Sequence, residues 1–163
     1  MKQKIVVLVG LPGSGKSTWL ARRGIQAIST DQIRHILSGD ATNQSIHVRV
    51  FATVRYLLRH RLAIGQPISY VDATHLTPAE RKPYIEIARR CGCEIEALFF
   101  DTPVEECMRR NAARERVVPP DIIKAMAAKL RIPELAEGFS RINSIHAGRS
   151  SDPYVSGPGS RSY

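Results

Sequence analysis

Apolar and polar positions follow two different periods along this chain, and their order predicts a layered α/β fold. Five short segments are rich in apolar and β-branched residues, and the first of them, residues 4–9, has the pattern of a strand buried on both faces of a parallel sheet. These predicted strands span residues 4–9, 27–29, 68–71, 94–100 and 142–145. Between them, apolar residues recur three and four positions apart, which is the period of an amphipathic helix. The predicted helices span residues 16–23, 31–37, 45–64, 78–90, 103–114 and 121–130.

Local signals indicate where several helices begin and which face they bury. Residues 77–80 (Thr-Pro-Ala-Glu) have the pattern of a capping box with proline at the first helical position. Residues 102–105 (Thr-Pro-Val-Glu) repeat this pattern, and Thr30 is placed to cap the helix after the second strand. The predicted inner stripe of the 45–64 helix consists of Val50, Val54, Leu57, Leu58 and Leu62.

Strands that alternate with helices imply a parallel sheet of about five strands covered by helices on both faces. In sheets of this kind the ligand binds beyond the carboxyl ends of the strands. The residues with the most suggestive chemistry follow strand ends: a glycine-rich loop after the first strand, Asp31 after the second and Asp72 after the third.

The glycine-rich loop, Gly10–Thr18, joins the first strand to the first helix. A Gly-x-x-x-x-Gly-Lys-Ser match in this strand–loop–helix context is typical of a P-loop, whose backbone N–H groups line an anion site. Lys16 is expected to approach the β- and γ-phosphates, and the Ser17 hydroxyl to bind Mg²⁺. The predicted nucleotide-binding residues are Gly10, Gly13, Ser14, Gly15, Lys16, Ser17 and Thr18. The loop therefore predicts binding of a nucleoside triphosphate.

Length and composition add a domain division and a compartment. The 163 residues suit one domain, predicted at 1–147, followed by a flexible tail at 148–163 that is rich in Ser, Gly and Pro. No apolar run approaches the ~20 residues of a membrane span, and the first strand starts too early for a signal peptide. The three cysteines lack metal or disulfide spacing. We therefore expect reduced thiols, a cytoplasmic location and no membrane partner.

The chain carries a net charge of +9, and 18 of its 24 basic residues are arginines. Biased genomic base composition would also raise the arginine content, but the arginines are unevenly placed. Residues 41–71 contain no acid, and a second basic cluster lies at residues 109–116. The arginines of these two zones are Arg49, Arg55, Arg59, Arg61, Arg109, Arg110, Arg114 and Arg116. Two basic zones beside a phosphate site favour a nucleic acid or another phosphorylated substrate over solvated helix faces.

Two P-loop classes lack their signatures in this sequence. A GTPase needs an Asn-Lys-x-Asp segment, which is absent, and a transport ATPase needs Leu-Ser-Gly-Gly-Gln, of which only the fragment Leu37–Gly39 is present. The remaining class is the small P-loop kinases, in which a carboxylate near the γ-phosphate accepts the acceptor's proton. Asp31 is the predicted carboxylate, because it starts a helix after the second strand and can orient an acceptor hydroxyl. Arg34 lies three residues on and is predicted to bind an acceptor anion; the alternative is that Asp31 only caps the helix or pairs with Arg34.

Several motifs together resemble the kinase domain of the polynucleotide kinase family, the 5′-hydroxyl kinases of nucleic-acid repair. The motifs are residues 10–19, the Asp31-x-x-Arg34 pair, residues 71–74, residues 110–114 and Val118-Pro119. The resemblance covers about residues 4–145. It implies a P-loop kinase fold with an arginine-bearing lid, with ATP as donor and Mg²⁺ as cofactor.

The same resemblance implies roles for individual residues. Asp31 would be the general base, and Arg34 would contact the 3′-phosphate of the acceptor's terminal nucleotide. Lid arginines Arg110 and Arg114 would contact the donor phosphates, and their spacing of four also predicts one shared helical face. Asp72 matches a Walker-B-like aspartate that would hold a Mg²⁺-bound water or orient Arg34; a purely structural role at the strand end is the alternative. The predicted catalytic set is Lys16, Asp31, Arg34 and Arg114.

The sequence departs from the family at two points. His75 stands where the family often has asparagine, so it is expected either to bond a phosphate or base or to be a loop residue. No Asp-x-Asp-x-Thr phosphatase motif is present.

Three functional hypotheses follow from these patterns. The first is a Mg²⁺-dependent kinase that phosphorylates 5′-hydroxyl ends of DNA or RNA, with acceptor charge met by Arg34 and by the basic 45–64 helix. The second is a kinase with a small-molecule acceptor, such as a sugar nucleotide, an antibiotic or a nucleotide. The third is an ATP-gated nucleic-acid-binding module without transfer, which would have no need of a general base. The sequence leaves the oligomeric state open.

Overall fold

The computed structural model describes residues 1–146, so the tail predicted at 148–163 lies outside the described residues. Five strands form one parallel sheet in the order β2-β3-β1-β4-β5. They are β1 (Lys4–Val9), β2 (Ile28–Ser29), β3 (Ile68–Asp72), β4 (Glu94–Asp101) and β5 (Arg141–His146). The predicted α/β class and the five-stranded parallel sheet are confirmed.

The helices of the described chain follow the predicted order. They are α1 (Lys16–Arg22), α2 (Thr30–Ser38), α3 (His47–Ala63), α4 (Pro78–Cys91), α5 (Val104–Ala112) and α6 (Pro120–Lys129). Short 3₁₀ turns at Gln44–Ile46 and Leu135–Glu137 complete the regular structure described. None of these helices is long and apolar enough to cross a membrane.

The central strand β1 explains why helices cover both faces of the sheet. Its residues Ile5–Val9 are fully buried, and successive side chains of a strand point to opposite faces. The odd-numbered ones, such as Val7, belong to a core built with α2, α3 and α4. The even-numbered ones pack with Trp19 and Leu20 of α1. A strand buried on both sides needs an apolar residue at every position, as the sequence has.

The capping signals at the helix starts are partly confirmed. At α4 the capping box forms, because the Thr77 hydroxyl accepts from the Glu80 backbone N–H and the Glu80 carboxylate accepts from that of Thr77. At α2 the predicted cap Thr30 is wrong by one residue, since the Ser29 hydroxyl makes the bond. The predicted box at residues 102–105 is wrong: α5 begins at Val104 without a side-chain cap. Thr102 instead donates its hydroxyl to the Ser14 carbonyl, at 2.9 Å.

Two predictions about helix faces are also wrong. Leu57, predicted on the inner stripe of α3, is 40% exposed, whereas Val50, Val54, Leu58 and Leu62 are buried. Helix α5 ends at Ala112 instead of continuing to Arg114, so Arg110 and Arg114 do not share a helical face. The chain turns there because the Asn111 side chain bonds the backbone of Val118 twice, through its amide nitrogen at 2.7 Å and its oxygen at 3.0 Å.

Candidate active site

The loop between β1 and α1 forms a cradle whose shape depends on glycine. Gly13 and Gly15 have φ angles of 80° and 105°, a left-handed region that disfavours other residues. A β-carbon at Gly13 would also overlap the carbonyl oxygen of Cys107 in α5. Close packing against α5 and the Thr102–Ser14 hydrogen bond therefore hold the cradle in place.

Lys16 is folded onto this loop. Its ammonium group donates to the carbonyls of Gly10 at 2.8 Å and Leu11 at 2.9 Å. Burial lowers the pKa of Lys16 to about 8, and the negative charge of Asp72 opposes that shift. Phosphate oxygens would hold the charge of a lysine so placed more strongly than these carbonyl oxygens do.

Asp72 ends β3 and supplies a second charge beside the cradle. Burial raises its pKa, and the positive charges of Lys16 and Arg114 lower it, whereas the negative charge of Asp31 raises it. Asp72 and Ser17 both line the same cavity. A carboxylate and a hydroxyl suit Mg²⁺, which prefers oxygen ligands and takes few of them from protein in phosphate sites. Ser17 and Asp72 therefore fit the predicted metal role.

His75 fixes the segment that follows Asp72 against strand β1. This residue is buried with a φ of 47°, and its Nδ1 lies 2.5 Å from the carbonyl oxygen of Leu8 in β1. Its backbone carbonyl accepts a hydrogen bond from Arg81, at 2.8 Å. Burial lowers the pKa of His75 to about 4, so the ring is neutral. His75 is therefore a buried residue of the loop between β3 and α4, which agrees with the second of its two expected roles, and it positions the loop that follows Asp72.

Asp31, in the first turn of α2, is bound by two arginines. Arg34 Nη1 lies 3.2 Å from its Oδ1, and Arg116 Nη2 lies 3.0 Å from its Oδ2. The Asp31 carboxylate is half-exposed, whereas the Arg34 side chain is buried. Arg34 Nε is also buried and has no hydrogen-bond partner among the described residues. The Asp31–Arg34 pair that the sequence left as an alternative is present, and Arg34 retains an unsatisfied donor.

The two predicted lid arginines line the cavity beside the cradle. Arg110 lies on α5, and Arg114 lies in the loop after it. Arg110 Nε donates to Glu106, at 2.9 Å, and its guanidinium lies against Gly15. Arg114, beyond the helix end, is near enough to Lys16 and Asp72 to lower the pKa of both groups. The two arginines reach one cavity from different elements.

All of these groups open on one cavity of about 1150 Å³. Its lining includes most of the P-loop, then Asp31 and Arg34, Asp72, and the arginines of the α5–α6 region. Gly10 lies under the cradle instead: a β-carbon there would meet Ser14 Oγ at 2.6 Å and Phe100. The remaining predicted site residues, from Gly13 to Arg114, are brought together.

Two residues at this site were missed or undervalued by sequence reasoning. Arg116 was one arginine in a basic cluster, yet it is the one that reaches Asp31. Glu106 is not among the residues singled out from the sequence, yet it accepts hydrogen bonds from Arg109 and Arg110, which lower its pKa to about 2. The spacing of Glu106 and Arg110, four apart on one helix, was a usable signal for this pair.

A P-loop with its lysine, an acidic strand end and several arginine side chains around one cavity on a parallel α/β sheet define a P-loop kinase. Comparison with known families agrees with that class. Residues 5–133 match an AAA domain family model, and the chain belongs to this family.

Relatives within this class differ in what they act on. The chain is 27% identical over 138 residues to an L-seryl-tRNA(Sec) kinase of Methanococcus maripaludis, covering 79% of this chain and 53% of the relative. It is 23% identical over 152 residues to a bifunctional polynucleotide phosphatase/kinase of Schizosaccharomyces pombe, covering 88% and 33%. The chain therefore spans about half and a third of these relatives.

A solved structure of similar size shows the same fold. The APS kinase CysC of Mycobacterium tuberculosis, in complex with AMPPNP and APS, matches with a TM-score of 0.58 and 21% identity. The match covers 91% of each chain. The similarity supports the kinase fold, and the acceptor class is a separate question.

Proposed function

We propose that this P-loop kinase transfers the γ-phosphate of ATP to the 5′-hydroxyl end of DNA or RNA, with Asp31 as general base. The observation that carries the proposal is the Asp31 site: a half-exposed carboxylate facing the P-loop cavity, beside a buried arginine with a spare donor. A carboxylate can accept the hydroxyl proton, and an arginine fork can bind a phosphate next to that hydroxyl.

The donor side follows from the cradle. Backbone N–H groups of the loop, Lys16, Arg110 and Arg114 would surround the triphosphate, and Ser17 and Asp72 would hold Mg²⁺. When bound, the metal would neutralise charge on the phosphate oxygens. Catalysis on this side consists of positioning and charge neutralisation.

The acceptor side supplies proton acceptance and alignment. Asp31 takes the proton of the 5′-hydroxyl while the hydroxyl oxygen forms a bond to the γ-phosphorus. At the same time, the bond between that phosphorus and the β–γ bridging oxygen breaks. The electron pair of the broken bond leaves with ADP. Arg34 binds the acceptor phosphate nearest the reacting nucleoside. In doing so, its guanidinium exchanges its hydrogen bond to Asp31 for one to the substrate.

The net charge of this chain and the names of its relatives both favour a nucleic-acid acceptor over a small-molecule acceptor. The chain has a net charge of +9, and the relatives above include kinases whose names specify tRNA and polynucleotide. A polyanionic acceptor would gain from this charge through release of its counterions.

The decisive test is transfer of labelled γ-phosphate from ATP and Mg²⁺ to 5′-hydroxyl DNA and RNA oligonucleotides, with 5′-phosphorylated oligonucleotides as blanks. Asp31→Asn should reduce transfer by ~100-fold or more, as expected for loss of a general base, while ATP binding is retained. Asp121→Asn is the matched control, because Asp121 also lies in the first turn of an exposed helix end, on α6. Loss of ATP binding together with transfer would make Asp31 structural, and labelling of metabolites but not oligonucleotides would indicate a small acceptor.

A further inference from the structure

Helix α3 begins at the mouth of the cavity and extends away from it, with arginines and aromatic residues along one face. His47, at its first position, and Phe51, one turn later, line the same cavity as Asp31 and Arg34. The two rings lie 4.6 Å apart between centroids. This end of the helix is therefore continuous with the proposed acceptor side of the active site.

Residues four apart follow one row along a helix, and the row that begins at His47 continues with Phe51, Arg55 and Arg59. From Phe51 through Arg55 to Arg59 the side chains pass from half-buried to exposed. Twelve residues at 1.5 Å each make this row about 18 Å long. It leads from the cavity to open surface.

Aromatic rings accompany these arginines. Tyr56, next to the row, is 60% exposed, and its ring lies 4.4 Å from that of His60. We define the α3 outer face as Arg55, Tyr56, Arg59 and His60. Arginines interleaved with exposed aromatic rings are what single-stranded nucleic acid needs, namely cations for the backbone and faces for the bases.

The charge of this helix is one-sided. No Asp or Glu occurs between Asp40 and Asp72, so α3 has no acid of its own to pair with its arginines. Arg61 is a structural exception, since it donates to Ser69 and to the Ile68 carbonyl, each at 3.0 Å. A cationic row that runs from half-buried Arg55 to exposed Arg59, with no acid on its own helix, fits a polyanion.

Resting on the proposed function, we infer that the α3 outer face binds the single-stranded backbone of the acceptor several nucleotides away from the end that is phosphorylated. The terminal nucleotide occupies the cavity at Asp31 and Arg34, and the following nucleotides run along α3. The enzyme then prefers long acceptors to short ones, and this preference depends on Arg55 and Arg59.

The test compares a 5′-hydroxyl dinucleotide with a dodecanucleotide of the same terminal sequence. The wild-type KM should be ~10-fold lower for the longer acceptor, and Arg55→Gln/Arg59→Gln should abolish that advantage without changing kcat or the dinucleotide KM. The slope of log affinity against log salt should also fall by ~1.4 in the double variant, at ~0.7 for each lost contact to a single strand.

Controls separate the charge of this face from charge in general and from folding. Arg89→Gln/Arg90→Gln removes two exposed arginines at the end of α4, on the edge of the sheet away from the cavity, and should leave the length dependence intact. Arg59→Gln alone tests an exposed residue whose loss cannot disturb the core, and it should remove about half of the salt-slope change. Tyr56→Ala should raise the KM of the dodecanucleotide severalfold and that of the dinucleotide not at all.

The outcomes distinguish the inference from the function beneath it. If the dinucleotide is phosphorylated and the longer acceptor gains nothing, or the gain survives Arg55→Gln/Arg59→Gln, the α3 outer face is not an acceptor track and the kinase assignment stands. If the chain phosphorylates neither oligonucleotide, the proposed function itself fails. Unchanged kinetics combined with retention of an acidic peptide by wild type but not by the double variant would overturn the inference in favour of an acidic protein partner.

Discussion

Two arginines of this protein are almost equally buried and have opposite surroundings. Arg81 of α4 is 0% exposed, and Arg34 of α2 is 5% exposed. Arg81 Nε and Nη2 donate to the two carboxylate oxygens of Glu137, at 2.8 and 2.9 Å, and Nη1 donates to the carbonyls of His75 and Arg131. Arg34 reaches Asp31 through one nitrogen at 3.2 Å, and its Nε has no partner among the described residues.

The difference between the two arginines is in how many of their donors the protein itself satisfies. Bidentate pairing and two carbonyls satisfy Arg81, so this residue joins α4, the loop after β3 and the segment before β5 into one unit. Arg34 lies at the edge of a cavity with a donor left over, and a buried unsatisfied donor costs stability. A ligand that supplied the missing acceptor would offset such a cost, which supports the proposal that Arg34 binds substrate, whereas the contacts of Arg81 are structural.

The largest effect should come from Arg81→Met. The substitution keeps much of the apolar bulk but removes the donor that Glu137 and the carbonyls of His75 and Arg131 share. Breaking a buried pair by removing one partner costs about 3–5 kcal/mol of unfolding free energy. Urea unfolding monitored by circular dichroism measures the loss, with Arg131→Met as control, because only the backbone carbonyl of that residue takes part in the network. A cost below ~1 kcal/mol would remove the structural half of the comparison.

The same substitution at Arg34 should have the reverse profile. Arg34→Met removes an unsatisfied donor, so the free energy of unfolding should change by less than ~1 kcal/mol. The kcat/KM for a phosphate-bearing acceptor should fall ~100-fold, equivalent to ~2.7 kcal/mol of lost transition-state stabilisation. An acceptor without the neighbouring phosphate should lose much less. Equal losses for both acceptors would mean that Arg34 acts through Asp31 alone.

The fold was predictable because its main signals are local. The apolar run at residues 4–9 and the Gly10–Thr18 loop predict a buried strand and a phosphate cradle without reference to the rest of the chain. The errors occurred where tertiary contacts override local pattern. Thr102 has capping chemistry but bonds to Ser14, and α5 stops early because Asn111 holds Val118.

A pH-dependent effect, on the structural side of the comparison, is acid sensitivity at His75. The folded pKa is about 4 against an ordinary value of 6.5, so between these values the unfolded chain binds more protons. Stability should therefore be constant above pH 6.5 and fall by up to ~1.4 kcal/mol per pH unit as pH drops toward 4. His75→Asn tolerates the positive φ and should flatten this part of the pH profile. An unchanged slope in His75→Asn would assign the acid sensitivity to other groups.

The members of the candidate site were predictable from the sequence, and so was the Asp31–Arg34 pair as an alternative, but the pairing across the cavity was not. Asp31, Arg34 and Asp72 follow strand ends, where a parallel sheet gathers its ligand site, so the sequence places them near Lys16. Arg116 is 85 positions from Asp31 and meets it only because the loop after α5 folds back over the cavity. No helical or strand period links residues so far apart. The basic cluster at residues 109–116 could therefore be recognised from the sequence, but which of its arginines contacts Asp31 could not.

The smallest effect should come from Arg116→Ala, which tests whether the second partner of Asp31 resembles Arg34 or is only a surface ion pair. Arg116 and Asp31 have side chains that are 38% and 50% exposed, and exposed pairs contribute ~0–1 kcal/mol. The free energy of unfolding should therefore change by less than 1 kcal/mol. For Asp31 to accept a proton, one of its oxygens must be released from its arginine. Loss of Arg116 should therefore leave transfer within ~5-fold of wild type, in contrast to the ~100-fold loss expected for Arg34→Met. Single-turnover transfer with Arg116→Ala and Arg116→Lys measures this. A loss as large as that of Arg34→Met, rescued by lysine, would place Arg116 on the substrate and extend the functional side of the comparison across the cavity.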